Sequence, residues 1–377
     1  MRSARTGGIQ GYMNQLAASL CERGHEVTVV CRSHEEAPHA GVRFATLHSL
    51  ALGAALRTLV FAKDVERHVR RTPYDLVVGL GNTWTQDVIR LGGGCHATYL
   101  ERAHPHSSRR FGRWLGGISP KHRLILAIEA RALAPGAFRC ALVNSELVRR
   151  DLIERYQVDP EKIRLIRNGV DIERFHPRHR ENAGRELRER LGLAGEGPVV
   201  LFLGSNYGRK GLDLLLEAFP AFLREFPRAK LLVVGADAGI SRWKRRARDL
   251  GVDPAVTFLG KRNDPEACYA AADLYALPTR YDSFAFTVLE ALASGLPVIV
   301  SDAAGAAELV GESCGAVVPW TAGPRELASE LSRWASPERR SQAAAAGRRV
   351  AEENGSEAAM ERTVDLLEEL AGGPRSS

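Results

Sequence analysis

The sequence predicts an α/β protein of two Rossmann-like, doubly wound domains, and three observations carry that expectation. Short apolar runs alternate with helical patterns, as in a parallel sheet wrapped by helices. The alternation runs through the first half and restarts after a stretch rich in glycine, proline and charge. The length, 377 residues, suggests two separate cores.

In the first half, Met13, Leu16, Ala17 and Leu20 recur at helical spacing. Gly24 stops that helix and Glu26–Val30 reads as a strand. Asp75–Gly81 and Arg139–Val143 are further strand candidates, and Ser145–Tyr156 reads as a capped helix. In the second half, strands are expected at Val199–Leu203, Lys230–Val234, Val256–Leu259, Asp273–Leu277 and Pro297–Ser301. The resulting divisions are a first domain over 1–168, a linker over 169–197, a second domain over 198–350 and a helical tail over 351–377. A cleft between the two domains is expected.

Hydrophobic residues make up 45% and charged residues 26%, an ordinary globular balance. No run approaches the roughly 20 apolar residues of a membrane-spanning helix. Met1–Thr6 lacks the apolar core of a signal peptide, so a cytoplasmic location is expected. The six cysteines stand singly, which reads as free thiols rather than a zinc or redox site.

The formal charge is +7, and most of it is local. Between Arg102 and Arg131, seven cations face one acid, Glu129. Phe111, Trp114, Leu115 and Ile118 fall on one helical face there, with Arg109 and Arg113 roughly opposite and Arg110 flanking. Such a helix can lie in a headgroup layer, each Arg contributing about 1 kcal/mol near anionic lipid. A surface helix packed on its own domain is the plainer alternative.

Four segments could bind an anionic ligand. Gly204–Gly211 lies between a strand and a helix, where free amides and the helix dipole favour an anion. Arg209 and Lys210 stand at that end, where the dipole disfavours them, and read as answering a ligand's charge; a surface turn is the alternative. A Walker A loop is excluded, because Arg209 replaces its second glycine and no Ser or Thr follows Lys210. In Tyr281–Leu292, Ser283 is a natural helix cap that leaves the amides of Phe284, Ala285 and Phe286 open to phosphate. Asp282 and Glu290 there are eight residues apart, roughly 12 Å along a helix. That exceeds the roughly 5–9.5 Å of a glycosidase pair and suits gripping two ends of one long ligand.

Arg262 follows the Val256–Leu259 strand and could lie on a flat base, or be a solvated charge. Gly7-Gly8 lets backbone approach a ligand closely, a weak signal alone. His96 follows a run of three glycines and is structural or functional. No Asp-x-Asp occurs, so the usual carboxylate platform for a divalent metal is missing.

Together, Gly204–Leu212, Asp273–Val298 and Asn168–Asp171 resemble the retaining glycosyltransferase family 4, of GT-B fold, over nearly the whole chain. Within it the chain is similar to lipopolysaccharide core α-glucosyltransferases through Gly208–Gly211 and Arg262–Asp264. The resemblance implies that the first domain binds the acceptor and the second a nucleotide sugar, most simply a UDP-hexose. It implies Arg209 and Lys210 on the diphosphate, Asp282 on the transferred sugar and Glu290 on the ribose. Gly8, Arg262 and Phe284–Phe286 would line the donor site, and His96 would contact the sugar.

The implied partners are a lipid-linked saccharide and the inner face of the cytoplasmic membrane, met through 102–131, with no nucleic acid, metal or other cofactor. Where the family has Glu-x7-Glu, this chain has Asp282 and Glu290. Where the family has a short apolar strand before Gly-Gly, only six mostly polar residues precede Gly7, so the first strand is expected to be missing. Remaining alternatives are a UDP-N-acetylglucosamine or GDP-mannose donor, an epimerase of the same fold, or a sugar-nucleotide binding protein without turnover.

Overall fold

The computed structural model describes residues 2–3, 8–34, 37–47, 53–103, 119–193 and 197–372. The basic helix expected around Phe111, Trp114, Leu115 and Ile118, with Arg109, Arg110 and Arg113, lies outside the described residues. The chain divides into two compact units: Met1–Arg167 with Glu357–Ser377, and Asn168–Ser356.

In the first unit, β1 (Arg2–Ser3) pairs with β3 (Ser33–His34), and β2 (Val27–Cys31) pairs with β4 (Val42–Thr46). A third sheet runs β5 (Val78–Gly79), β6 (Val88–Arg90), β7 (Cys140–Val143), β8 (Ile163–Leu165). All of these pairings are parallel. A two-residue strand therefore stands where the sequence leads one to expect none. The strand expected over Asp75–Gly81 shrinks to Val78–Gly79. Ser145 caps Glu146–Tyr156 as expected, its hydroxyl accepting the Val148 amide at 3.3 Å.

The last helix, Ser356–Gly372, is not a free tail. It adds Met360, Val364 and Leu367 to a core with Leu16, Val88 and Leu142 of the first unit. Arg23 reaches back to Asp365 at 2.7 Å and Glu368 at 2.9 Å.

The second unit holds one parallel sheet in the order β11-β10-β9-β12-β13-β14. These strands are β9 (Val199–Leu203), β10 (Lys230–Val234), β11 (Val256–Gly260), β12 (Leu274–Leu277), β13 (Val298–Ser301) and β14 (Gly315–Val318). Helices cover both faces, so the central strands are near-continuous apolar runs, which is why the sequence displays them so clearly.

The expected linker, 169–197, is built into this unit. It carries the helix Ala183–Arg190, whose Leu187 is buried in the core, and Gly184 packs where a Cβ would meet the Ala270 carbonyl oxygen at 2.5 Å. Its Arg180 and Arg188 each hold the Asp273 carboxylate at 2.5 Å, joined by Arg340 at 2.6 Å. The glycine and charge that read as a linker in sequence serve close packing and an ion cluster around the buried Asp273 carboxylate. Asp273 itself precedes β12 and also accepts the Val199 amide at 2.9 Å, fixing the amino edge of the sheet.

Candidate functional site

Strand β9 begins the second sheet in chain order. The chain moves to one side through β10 and β11, then crosses to the other through β12, β13 and β14. The loops after β9 and β12 therefore leave the carboxyl edge side by side and diverge, which makes the crevice where open α/β sheets bind ligands.

The loop after β9 is 204–211. Gly211 has φ 83°, and a Cβ there would meet the Pro278 carbonyl oxygen at 1.8 Å, so only glycine fits this turn into the helix Leu212–Glu225. Asp237 accepts the Tyr207 amide at 2.9 Å. The loop after β12 is laced to this one. The Arg280 amide donates to the Arg209 carbonyl at 2.8 Å, and the Arg280 guanidinium holds Asp213 at 3.0 and 2.5 Å. Arg209 donates to the Tyr281 carbonyl at 2.6 Å and lies 3.8 Å from the Asp282 carboxylate. Lys210, buried, forms an ion pair with Asp282.

Asp282 is not on a helix. Its backbone is bridged to the segment after β13, and its carboxylate accepts the Phe284 and Ala285 amides at 3.2 and 2.8 Å. Burial opposes its charge, but Lys210, Arg209 and these amides prevail and hold its pKa below the ordinary carboxylate value. Two expectations are corrected here. Ser283 is not the helix cap and the next two amides are not open, because the carboxylate beside them is the stronger acceptor. The helix begins only at Phe286, so the helical spacing assumed between Asp282 and Glu290 does not apply. Ala285, just before it, has φ 68°, a left-handed conformation unfavourable for a residue with a Cβ.

Glu290 lies on the helix Phe286–Ala293 and accepts the Tyr269 hydroxyl at 2.7 Å. Burial raises its pKa, the opposite direction from Asp282. Tyr275 donates to the Thr287 hydroxyl at 2.7 Å, and the charges of both Glu290 and Asp282 reach its phenol. The structure thus brings Arg209, Lys210 and Asp282 together, while Glu290, on the helix that follows, bonds Tyr269. Phe284 is buried, while Phe286 stays 36% exposed. Arg262 follows β11 at the sheet's edge and grips Asp264 at 2.9 and 2.5 Å.

Gly8 and His96 belong to the first unit. Gly8 opens the helix Gly8–Glu22. His96 opens the helix His96–Ala103, whose first amides, those of His96 and Ala97, donate to the Glu129 carboxylate at 2.6 and 3.3 Å. Tyr156 also donates to Glu129. The His96 Nε2 lies 3.0 Å from His122 Nδ1, and burial, aided by His122 and Lys121, lowers the His96 pKa to about 4.

Sequence reasoning missed Tyr269, Tyr275, the Arg280–Asp213 pair and the Glu129 cap. The tyrosines sit in apolar runs that read as core, and Glu129 reads as the lone acid of a basic stretch. Among the described residues, no three His, Cys, Asp or Glu side chains gather as a metal-ligand set, and no helix is long and apolar enough to cross a membrane.

Known proteins bear on this arrangement. The family described as Glycosyltransferase Family 4 matches residues 6–174, and that described as Glycosyl transferases group 1 matches 197–336. Lipopolysaccharide glucosyltransferase WaaG of Escherichia coli (strain K12) is 26% identical over 320 residues, 83% of this chain and 82% of that protein. A D-inositol 3-phosphate glycosyltransferase of Frankia alni is 28% identical over 368 residues, 87% of this chain and 85% of that protein. The crystal structure of WaaG, a glycosyltransferase involved in lipopolysaccharide biosynthesis, superposes with TM-score 0.82 at 25% identity, over 99% of this chain and 98% of that one. Anabaena Alr3699/HepE in complex with UDP, at 19% identity, shares the fold with TM-score 0.72, over 98% of each chain. With both halves matched and the GT-B fold shared with WaaG, the chain belongs to the group 1 and family 4 glycosyltransferases.

Proposed function

We propose that this glycosyltransferase moves a hexose, glucose in the first instance, from a UDP-sugar to a lipid-linked saccharide such as lipopolysaccharide core, with retention and without a metal ion. The observation that carries the reading is Arg209 and Lys210 beside Asp282 at the switch point of the second sheet. Arg209 and Lys210 would hold the diphosphate and Asp282 the sugar, so the bond to be broken lies between groups that already touch. Glu290 would bond the ribose. Arg262, Phe284, Ala285 and Phe286 would line the rest of the donor site.

In the proposed step the acceptor hydroxyl oxygen bonds the anomeric carbon on the face that the diphosphate leaves. The sugar–phosphate C–O bond breaks with its electron pair going to the diphosphate, and the acceptor proton passes to a phosphate oxygen. Cations fixed at the leaving group stabilise the charge that develops there.

Likeness to WaaG over most of both chains supports a lipopolysaccharide acceptor. The Frankia alni relative favours a second reading, with D-inositol 3-phosphate as acceptor. Radiolabelled UDP-glucose, UDP-N-acetylglucosamine and GDP-mannose, each offered with core lipid or inositol phosphate, decide between them. Transfer of glucose to core lipid is expected. Donor conversion without any acceptor means an epimerase, and binding without turnover means a sugar-nucleotide binding protein.

The stretch 102–131 would dock the enzyme on the inner face of the cytoplasmic membrane, through six net positive charges and the apolar face of Phe111 and Trp114. Co-sedimentation with anionic vesicles should weaken with salt, as the Debye length shrinks, and should drop when Arg109, Arg110 and Arg113 all become Ser. Indifference to anionic vesicles at low salt would remove the membrane role.

A further inference from the structure

Two fully buried tyrosines meet one face of the helix Phe286–Ala293. Tyr275, on β12, donates to the Thr287 hydroxyl at 2.7 Å. Tyr269, on the helix Pro265–Ala271, donates to Glu290 Oε2 at 2.7 Å and reaches the Thr287 carbonyl at 3.3 Å. Thr287 and Glu290 are three residues apart, so they face the same way. The two contacts differ in kind. One joins neutral hydroxyls, whereas the other joins a phenol to a carboxylate, the stronger sort of hydrogen bond.

Packing fixes where the Tyr269 hydroxyl lies. Its ring stands edge-on to Phe175, with centres 5.6 Å apart at 87°, and tilts against Tyr275 at 5.8 Å and 47°. Burial, then the Glu290 charge, raises its pKa well above the ordinary phenol value, so it stays protonated and donates. On the Glu290 side, burial opposes ionisation, and Tyr269 is the largest influence favouring it, ahead of Arg174. An ionised carboxylate only accepts hydrogen bonds. Tyr269 takes Oε2; among the described residues no hydrogen bond takes Oε1, and Glu290 is half-buried. The carboxylate is thus held by one oxygen and keeps the other for a ligand's donor.

We propose, resting on Glu290 as the group that bonds the ribose, that Tyr269 is a positioning residue for the donor. By gripping Oε2 it aims Oε1 at a ribose hydroxyl, and so makes the site select ribonucleotides over nucleotides that lack those hydroxyls. A site built to bond a hydroxyl rejects the analogue without it, because its own polar group is then left unpaired. Tyr269 sharpens that rejection by keeping the carboxylate ionised and in one place.

The test measures calorimetric affinities for UDP and 2′,3′-dideoxy-UDP in wild type, Tyr269→Phe, Tyr275→Phe and Glu290→Ala, with melting curves to confirm folding. Wild type should prefer UDP by more than about tenfold, the scale of a hydrogen bond to a charged group. Tyr269→Phe should lose most of that preference through weaker UDP binding, and should raise the donor KM while kcat changes less than about threefold. Tyr275→Phe removes an equally buried hydroxyl that bonds the same helix but not Glu290, and should keep the preference. Equal changes for both nucleotides in Tyr269→Phe, or the same loss of preference in Tyr275→Phe, would overturn the proposal. A preference lost in Glu290→Ala but kept in Tyr269→Phe defeats the positioning role alone. A preference kept in Glu290→Ala defeats the ribose assignment and the positioning role with it.

Discussion

Lys210 is ion-paired with Asp282, and the same carboxylate accepts the amides of Phe284 and Ala285 at 3.2 and 2.8 Å. The pair joins the loop after β9 to the loop after β12, so it is a structural clasp as well as part of the candidate donor site. Lys210→Met leaves Asp282, whose side chain is 16% exposed, without its nearest cation. Losing one partner of a buried pair costs about 3 kcal/mol or more. Urea unfolding should show that loss, and Lys210→Met combined with Asp282→Asn should recover part of it. A single variant as stable as wild type would mean the clasp contributes nothing.

Arg209 is the more solvent-facing cation, with its side chain 22% exposed, held by the Tyr281 carbonyl at 2.6 Å and lying 3.8 Å from the Asp282 carboxylate. Arg209→Ala should slow turnover by about 10²–10³, the scale of losing one positioned charge stabiliser, with the fold still intact at the assay temperature. Activity of the wild type should persist in saturating chelator. Unchanged turnover in the variant would detach Arg209 from the diphosphate.

His96 makes a pH prediction. Its pKa falls from 6.5 to about 4 on folding, with burial the largest cause. Between those values the unfolded chain carries a proton that the folded chain lacks, so stability rises with pH. The contribution is complete above about pH 6.5 and is lost as pH falls toward 4. Glu129, raised by burial, works in the opposite direction, so wild type and variant must be compared. His96→Phe should lose less stability than wild type between about pH 7 and about pH 5 in urea titrations. Parallel curves would show that His96 is not the titrating group.

Ala285 holds φ 68° directly after the amides that cap Asp282. A left-handed residue with a Cβ costs about 1–2 kcal/mol, of which glycine's greater unfolded-state freedom returns about half. Ala285→Gly should therefore stabilise the protein by roughly 0.5–1 kcal/mol, read from the denaturation midpoint. Destabilisation would mean that the Ala285 methyl, buried here, contributes more packing than its backbone costs.

Much of the second unit was legible in the sequence. Val199–Leu203, Lys230–Val234 and the strands near 274–277 and 298–301 are buried on both faces, so their apolar runs are uninterrupted. In the first unit Val42–Thr46 and Val88–Arg90 went unread, since short strands broken by Arg43 and Arg90 carry little pattern. At the site, Arg209, Lys210, Asp282 and Glu290 could be picked out by type and place. Their mutual arrangement could not: whether Asp282 answers Lys210, or Tyr269 answers Glu290, depends on contacts 72 and 21 residues apart in sequence. The helix cap was misread because Ser283 suits a helix start by residue type, whereas the helix begins at Phe286 with no side-chain cap and Asp282 takes the Phe284 and Ala285 amides ahead of it.

The first unit is begun by Met1–Arg167 but completed by the helix Ser356–Gly372. In order of synthesis, the whole of Asn168–Ser356 emerges before Met360, Val364 and Leu367 can close over Leu16, Val88 and Leu142. At roughly 5–20 residues per second, that interval lasts on the order of 10–40 s. Throughout it the nascent chain carries an uncapped apolar face, a natural client for a ribosome-associated chaperone. A ribosome that stops near Ser356 would release a finished second unit attached to a first unit that cannot close.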